Sequence, residues 1–369
     1  MVFLLSNAFA AGKGDRTEIR RCYVIVLNWN GWALTLPCLE SLFRQTHEDK
    51  VIVVCDNGSN DGSLDFIAAW AEGRLDVVKG AQSELTDLWF PPISKPVSYI
   101  RLTRMEAAKG GDDVALGASL VLIENGANLG YGGGCNVGLQ FALARHDFEF
   151  VWILNNDVVV TPDSLGTLID EAERDPDAGI IGSTVLYFDQ PATVQALGGA
   201  KFNFWFASAR PIGWNSALRL PVDRDSVLRK LDYIAGAAMF VTRRFLQEAG
   251  LIPEHFFLYF EEISWALAGQ GHFRLGYAPC SIVYHHEGFY TGIGRAGKRD
   301  QGGTEFLLYR NRLIFARRYL PIRLPVVYAG LLFAMLDALY RRDWRLARTL
   351  CRPDLWAWPR AWPKGGTDG

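Results

Sequence analysis

The 369-residue chain lacks a charge excess: 38 Lys and Arg against 40 Asp and Glu leave a formal charge of −2. A dedicated nucleic-acid binder carries a strong basic surplus, so nucleic acid is excluded as the main partner. It also lacks any CxxC pair, because Cys22, Cys38, Cys55, Cys135, Cys280 and Cys351 are scattered. Zinc-ribbon and thioredoxin-type readings fail on that spacing. Cys22 and Cys55 lie in or beside apolar runs, where a thiol behaves as a small hydrophobe, and reduced, buried thiols point to the cytoplasm. No basic region precedes the short apolar stretch MVFLLSNAFAAG. Residues 1–20 are therefore expected to form a tail rather than a secretory signal. No internal repeat is visible. What is present is 49% apolar, 13% aromatic and 21% charged residues, the composition of a folded protein large enough to bury a core without disulfides.

The pattern alternates short β-branched runs with helically spaced ones. RCYVIVLNWNG reads as a strand and loop, ALTLPCLESLFRQT as a helix, and KVIVVCDNGSNDGS as a second buried strand ending in a polar turn. SLVLIENG, then NLGYGGGCNVGLQFALARH, then FVWILNND repeat the theme as strand, glycine loop into helix, and strand. TPDSLGTLIDEAERDP follows as a helix with Thr161 as its cap. Such alternation predicts an α/β fold with a mostly parallel central sheet flanked by helices, and ligands at the carboxyl edge of the strands. GIIGSTVLYF, LDYIAGAAMFVTRR and LGYAPCSIVYHH read as further strands.

Residues 80–118 break the rhythm and are expected to form an inserted hairpin or lobe within a domain spanning 21–320. The 321–369 segment differs again. Between Arg310 and Lys364 twelve Lys or Arg stand against three Asp, among Trp344, Trp356, Trp358 and Trp362. LPVVYAGLLFAMLDALY is interrupted by Pro325 and Asp337 and falls short of the roughly 20 clean residues of a membrane span. Two readings stay open: an amphipathic helix lying in a membrane surface, and an ordinary helix packed on the domain.

Chemistry-bearing residues gather at the strand ends. Asp56 and Asn57 follow the second strand, where a carboxylate can accept from a base or ribose, although an Asx turn is the bland alternative. Asn128, Gly130 and Asn136 lie in the glycine loop, whose bare backbone suits close approach to a phosphate or sugar. Asn155, Asn156 and Asp157 end a buried strand, a usual place for a carboxylate that holds Mg²⁺ or Mn²⁺. Glu261 and Glu262 follow the aromatic run FFLYF, where desolvation lifts a carboxyl toward the working range of a base. His285 and His286 close the strand SIVYHH.

Taken in order, strand-Asn, DNGSNDGS, ENGANLGYGGGCN, NND, LYFEE and VYHH, with the closing YRNRLIFARRYLP, resemble the family 2 glycosyltransferases of GT-A fold, in their rhamnosyltransferase-like branch. The resemblance runs from about Tyr23 to Pro321. It implies that Asn28, Asn30, Asp56 and Asn57 line the nucleotide, that Asn128, Gly130 and Asn136 lie near the ribose and diphosphate, and that Asn155 and Asn156 face the donor sugar. Asp157, at the DxD-like position, and His285 would bind the metal. Glu262 stands where the family base is usually Asp, and Ser264 where an acidic residue is common. No QxxRW motif is present, so a single sugar is expected per encounter. The implied partners are dTDP-rhamnose or a UDP-hexose and a saccharide or lipid-linked saccharide. The implied place is the cytoplasm, at the inner face of the membrane, in cell-surface polysaccharide synthesis. Two rivals are a sugar-1-phosphate nucleotidyltransferase, which needs a basic glycine loop that LNWNGW lacks, and a catalytically silent sugar-nucleotide or glycan binder.

Overall fold

The computed structural model describes residues 20–79, 84–111, 117–286 and 304–356. All of the expected tail but Arg20, together with Trp358 and Trp362, lies outside these residues. In chain order the first half comprises β1 (Cys22–Asn28), α1 (Trp32–Phe43), β2 (Lys50–Asp56), α2 (Ser63–Ala71), β3 (Tyr99–Thr103), α3 (Arg104–Ala107), β4 (Leu120–Glu124), α4 (Gly130–Arg145) and β5 (Phe150–Asn155). Next come β6 (Val158–Val160), α5 (Ser164–Arg174), β7 (Ala178–Tyr187), β8 (Gln190–Leu197), β9 (Gly199–Asn203), β10 (Ser208–Pro211), α6 (Arg224–Leu228), β11 (Tyr233–Ile234) and β12 (Ala238–Thr242). The remainder holds α7 (Arg243–Ala249), α8 (Glu261–Ala268), β13 (Arg274–His285), α9 (Thr304–Tyr319), α10 (Leu324–Tyr340), α11 (Trp344–Leu350) and α12 (Pro353–Trp356).

The main sheet runs β3-β4-β2-β1-β5-β12-β7-β13-β6, with β8 also on β7, while β10-β9-β11 form a small second sheet. From β3 to β5 every pairing is parallel, whereas β12 runs antiparallel between β5 and β7. Side chains alternate across the parallel strands: Val24, Val26 and Val54 join the core on one face, and Ile25, Val53 and Cys55 that on the other. Covering both faces with helices explains why these strands read as continuous apolar runs. Cys22, Cys38, Cys55 and Cys135 are buried free thiols, while Cys280 and Cys351 are exposed.

The 80–118 segment, expected as an inserted hairpin or lobe, forms no hairpin among its described residues. Its strand β3 adds to β4 in parallel, and Leu85, Leu88, Trp89 and Val97 enter the same core as α1 and α2. The cause is a buried carboxylate invisible in a local pattern. Glu40 of α1, fully buried, accepts from the Ile93 amide at 2.8 Å, Trp70 Nε1 at 2.9 Å, Lys95 Nζ at 3.0 Å and Arg44 Nη1 at 2.9 Å. The helix after β6 also begins later than expected, at Ser164; Thr161 bonds the Ser164 hydroxyl instead of capping from its own position.

The C-terminal helices share a third core with the domain. Leu313 and Phe315 of α9, Val327 and Leu331 of α10 and Leu350 of α11 cluster with Phe202, Phe256 and Phe260. The expected shortfall in length is corrected: with the preceding 3₁₀ turn, Pro321–Tyr340 makes 20 residues, long and apolar enough by length and composition to cross a membrane.

Glu40 supplies a test of the inserted segment. Burial alone would raise its pKa, but hydrogen bonds from Ile93, Arg44, Lys95 and Trp70 outweigh it and hold the carboxyl below its ordinary value. Glu40→Ala should cost about 3–5 kcal/mol in urea unfolding, because it strands buried donors. A carboxyl depressed in the folded state contributes fully above its unfolded pKa, so the deficit should shrink as pH falls through the folded value.

Candidate active site

Parallel register brings the polar strand ends to one edge. Asn28 pairs with Asp56 and Asp56 with Glu124, while Leu27 of β1 lies opposite Asn155 of β5. Against this edge opens a cleft of about 710 Å³, closed on the other side by β8–β11 and the loop before α8. Asn57, Asn128, Gly130, Asn155, Asn156, Asp157, Glu261, Glu262 and His285 all line it, so sequence separations above 200 residues converge there.

Four expected donor residues do not reach the wall. Asn28, fully buried, donates to Asp56 Oδ1 at 2.7 Å and accepts from Thr35 Oγ1 at 2.8 Å and Asn156 Nδ2 at 3.1 Å. Asp56 also accepts from the Ser59 hydroxyl at 2.5 Å and the Ser59 amide at 3.0 Å. Asn30 accepts from the Asn60 amide at 2.8 Å. These side chains shape the two loops behind the cleft. Asn136 is likewise a clamp: its amide donates to the Ile252 carbonyl at 2.9 Å and Glu254 Oε1 at 2.8 Å, and its oxygen accepts from the Ile252 amide at 3.0 Å. The glycine run, expected as a loop, is the first turns of α4.

Asp157 and His285 meet across β6 and β13. His285 Nε2 lies 3.2 Å from Asp157 Oδ1, both side chains being nearly buried, and Asn155 Nδ2 is 3.3 Å from the same nitrogen. His285 Nδ1 sits 2.9 Å from Gln195 Oε1 of β8. An amide oxygen there favours the proton on Nδ1 and turns the Nε2 lone pair toward the carboxylate. Asp157 Oδ1 is buried and accepts no hydrogen bond. An imidazole nitrogen and a carboxylate oxygen so placed suit a divalent cation, Mg²⁺ or Mn²⁺, that keeps other positions for phosphate and water. Among the described residues no third His, Cys, Asp or Glu joins them, and no Lys or Arg lines the cleft.

The carboxylate pair begins α8 opposite. Burial lifts Glu262 to about 7, and burial together with repulsion from Glu262 pushes Glu261 well above the ordinary carboxyl range. Glu261 Oε2 has no hydrogen-bond partner. The backbone that delivers them is strained: Phe257, Tyr259 and Phe260 have φ of 68°, 69° and 75°. Each left-handed non-glycine residue costs roughly 1–2 kcal/mol, so surrounding contacts must impose the conformation. One such contact is the Tyr131 amide, which donates to the Phe257 carbonyl at 2.7 Å. Gly130, at φ +77°, permits it, since a Cβ there would fall 2.3 Å from that carbonyl oxygen.

Among the cleft residues that sequence reading missed are Trp29, Tyr131, Gln195, Trp214 and Tyr233. Trp29 stood beside Asn28 and, being 44% exposed at the end of a buried strand, was the one with a visible signal. Trp214 is anchored by its Nε1 on the Tyr187 hydroxyl at 2.9 Å, and Tyr131 by its hydroxyl on the Gly236 carbonyl at 2.6 Å. These are tertiary facts, with no local pattern to mark them.

Comparison with known proteins adds the family. The model for glycosyl transferase family 2 matches residues 23–84 and 113–248, more than half of the chain, and its break falls within the 80–118 segment. An N-acetylglucosaminyl-diphospho-decaprenol L-rhamnosyltransferase of Mycobacterium tuberculosis is 27% identical over 189 residues, covering 46% of this chain and 60% of its own. The low-salt glycan biosynthesis hexosyltransferase Agl10 of Haloferax volcanii is 24% identical over 44% of this chain and 49% of its own. The chain thus spans about half to three fifths of the length of these curated relatives. In structure, GalNAc-T7 with UDP, GalNAc and Mn²⁺ is similar at a TM-score of 0.51 and 14% identity, over 82% of this chain and 48% of that one, a likeness of fold alone. Because the family match runs through β1, β2 and the Asn155–Asp157 turn, the expectation from the sequence holds: the chain has the GT-A fold and belongs to glycosyl transferase family 2.

Proposed function

We propose that the protein is an inverting, metal-dependent, non-processive glycosyltransferase. It would move rhamnose or another hexose from a nucleotide-diphosphate donor, dTDP-rhamnose or a UDP-hexose, to a saccharide or lipid-linked saccharide in cell-surface polysaccharide synthesis. The observation that carries this reading is that one cleft holds both the Asp157–His285 pair and the Glu261–Glu262 pair. The activities for which the mycobacterial and archaeal relatives are named, rhamnosyl and hexosyl transfer, favour the donor class.

Charge dictates the division of labour. Asp157 and His285 would hold Mg²⁺ or Mn²⁺, which when bound offsets the negative charge growing on the departing diphosphate. Trp29, exposed at the cleft, would offer its ring to the base, and Asn128, held from behind by the Asn57 amide at 3.0 Å, would present its own amide beside the sugar-phosphate path. Glu262 takes the proton of the acceptor hydroxyl as its oxygen bonds to the anomeric carbon and the bond from that carbon to the phosphate oxygen breaks. Attack from the face opposite the leaving group inverts the centre. Glu261, kept protonated by burial beside Glu262, adds a hydrogen-bond donor without a second charge.

The surface supports action at a membrane. On α10, Val327, Leu331 and Ala338 face the core, while Phe333 is 73% and Leu336 60% exposed. Trp205 and Phe206, in the β9–β10 turn, extend the same face, with the Arg323 guanidinium 4.9 Å from the Trp205 ring and Phe206 beside Gly330. Arg341, Arg342, Arg345 and Arg348 follow. A helix with one side in the core and a basic, aromatic rim suits the headgroup layer of anionic lipids at the inner face of the cytoplasmic membrane better than a crossing.

Metal removal, substitution at the metal and base positions, the pH dependence of the rate and vesicle flotation test this reading. EDTA should abolish transfer and Mn²⁺ restore it, and Asp157→Ala should lower kcat by at least about 10²-fold; full activity in EDTA would exclude the metal. Glu262→Gln should leave nucleotide affinity near normal and reduce kcat by at least about 10²-fold. The wild-type rate should fall as pH drops below about 7, where the base takes up its proton. In vesicle flotation, Phe333→Asp with Leu336→Asp should release the protein from anionic liposomes at low salt; wild-type protein that stays unbound would sink the membrane reading.

A further inference from the structure

The motif YRNRLIFARRYLP has no role in the transfer as derived above, yet its Asn311 reaches the loop that carries the carboxylate pair. Asn311 lies on α9 and is fully buried. Its Nδ2 donates to the Phe256 carbonyl at 2.7 Å and the Leu258 carbonyl at 2.6 Å. Those two carbonyls flank Phe257, the first of three left-handed residues leading into Glu261 and Glu262. The Phe257 carbonyl between them points the other way, accepting from Tyr131. Alternate carbonyls are thus gripped from opposite sides, by α9 and by α4. Only a two-proton donor satisfies the α9 side, and Asn311 Oδ1 takes no partner at all. Phe256 and Phe260 are meanwhile wedged against Phe315, one turn along α9 from Asn311.

We infer that Asn311 is a positioning residue for the reaction, which holds the 256–260 backbone in its strained form and so aims the Glu262 carboxylate at the acceptor. This rests on Glu262 being the base. A residue that merely caps orphaned carbonyls would affect stability alone. One that positions the base affects the chemical step and the environment of the carboxyl. Glu262 is faced by Glu261 on its own helix, by Tyr131 and Cys135 of α4, and by Tyr233 of β11. The phenols and the thiol are lifted by burial and stay neutral through the working range, so an acid limb belongs to the carboxylate pair. Loosening the loop admits water and lowers that limb.

The test compares Asn311→Ser, which keeps one donor proton, with Asn311→Asp, which keeps the shape and turns an oxygen toward the two carbonyls. For protein shown folded by circular dichroism, donor affinity should stay within about twofold, while kcat falls about 10-fold for Ser and further for Asp. The acid limb of kcat should move to lower pH. In a Glu262→Gln background the Asn311→Ser penalty should disappear, since residues acting through one group are not additive. If Asn311→Asp does not fold, the Ser variant decides. A Ser variant with wild-type kcat and limb, beside an inactive Glu262→Gln, overturns the positioning role alone. Glu262→Gln with wild-type kcat overturns the base assignment and this inference with it.

Discussion

The 2.7 Å hydrogen bond from the Tyr131 amide to the Phe257 carbonyl joins the two halves of the cleft at the strained loop itself. On one side stand the parallel strands with Asn57 and Asp157, on the other the loop before α8 with Glu261 and Glu262. The distance between a nucleotide-side group and a base must be held to a fraction of an ångström for displacement at one carbon. Here it is set where α4 meets that loop. Gly130 is the consequence at sequence level: any side chain would drive the two apart at the point of contact.

The carboxyl edge also explains a division between residues that bind and residues that build. Asn28, Asp56 and Asn156 form a buried polar network with Thr35, closed by hydrogen bonds of 2.7–3.1 Å. Such a network rigidifies the turns when each member is satisfied. Its members look from sequence like ligand contacts, because the same short polar side chains serve both purposes at a strand end. Asn156 and Asn57 do both, lining the cleft while their amides are spent on Thr35, Asn128 and Gly130; Asp157, one residue past Asn156, lines it with a carboxylate oxygen that accepts no hydrogen bond from the described residues.

What the sequence made legible follows from physical range. The strands β1, β2 and β5, buried on both faces, betray themselves by apolar runs of the right length, and the polar residue at each end follows from the sheet's own geometry. Asn155–Asp157, Glu261–Glu262 and His285 were readable as chemistry by residue type and order. Gln195 was not, because its meaning lies in a 2.9 Å contact with His285, 90 residues away. The 80–118 segment misled for the same reason. Its attachment depends on Glu40 and a parallel edge pairing, neither of which leaves a periodic trace. Asn136 misled in the opposite sense, since a glycine-rich context suggested a ligand where the structure has a clamp on Ile252.

The boundary drawn at residue 321 from composition is no boundary of packing. The charge balance and tryptophan content change there, but Val327 and Leu331 enter the cluster that contains Phe256 and Phe260. Arg317 of α9 reaches the Tyr328 hydroxyl of α10, which binds the two helices to one another. Whatever surface holds α10 therefore bears, through α9 and its phenylalanines, on the strained loop ahead of Glu261. On the proposed reading, with an acceptor held in a membrane, this arrangement has a use: the side of the cleft that carries Glu261 and Glu262 is braced by the same helices that present Phe333 and Leu336 outward. The Asp157 side, built on β1, β2 and β5, stands on the main sheet and joins that brace where the Tyr131 amide meets the Phe257 carbonyl.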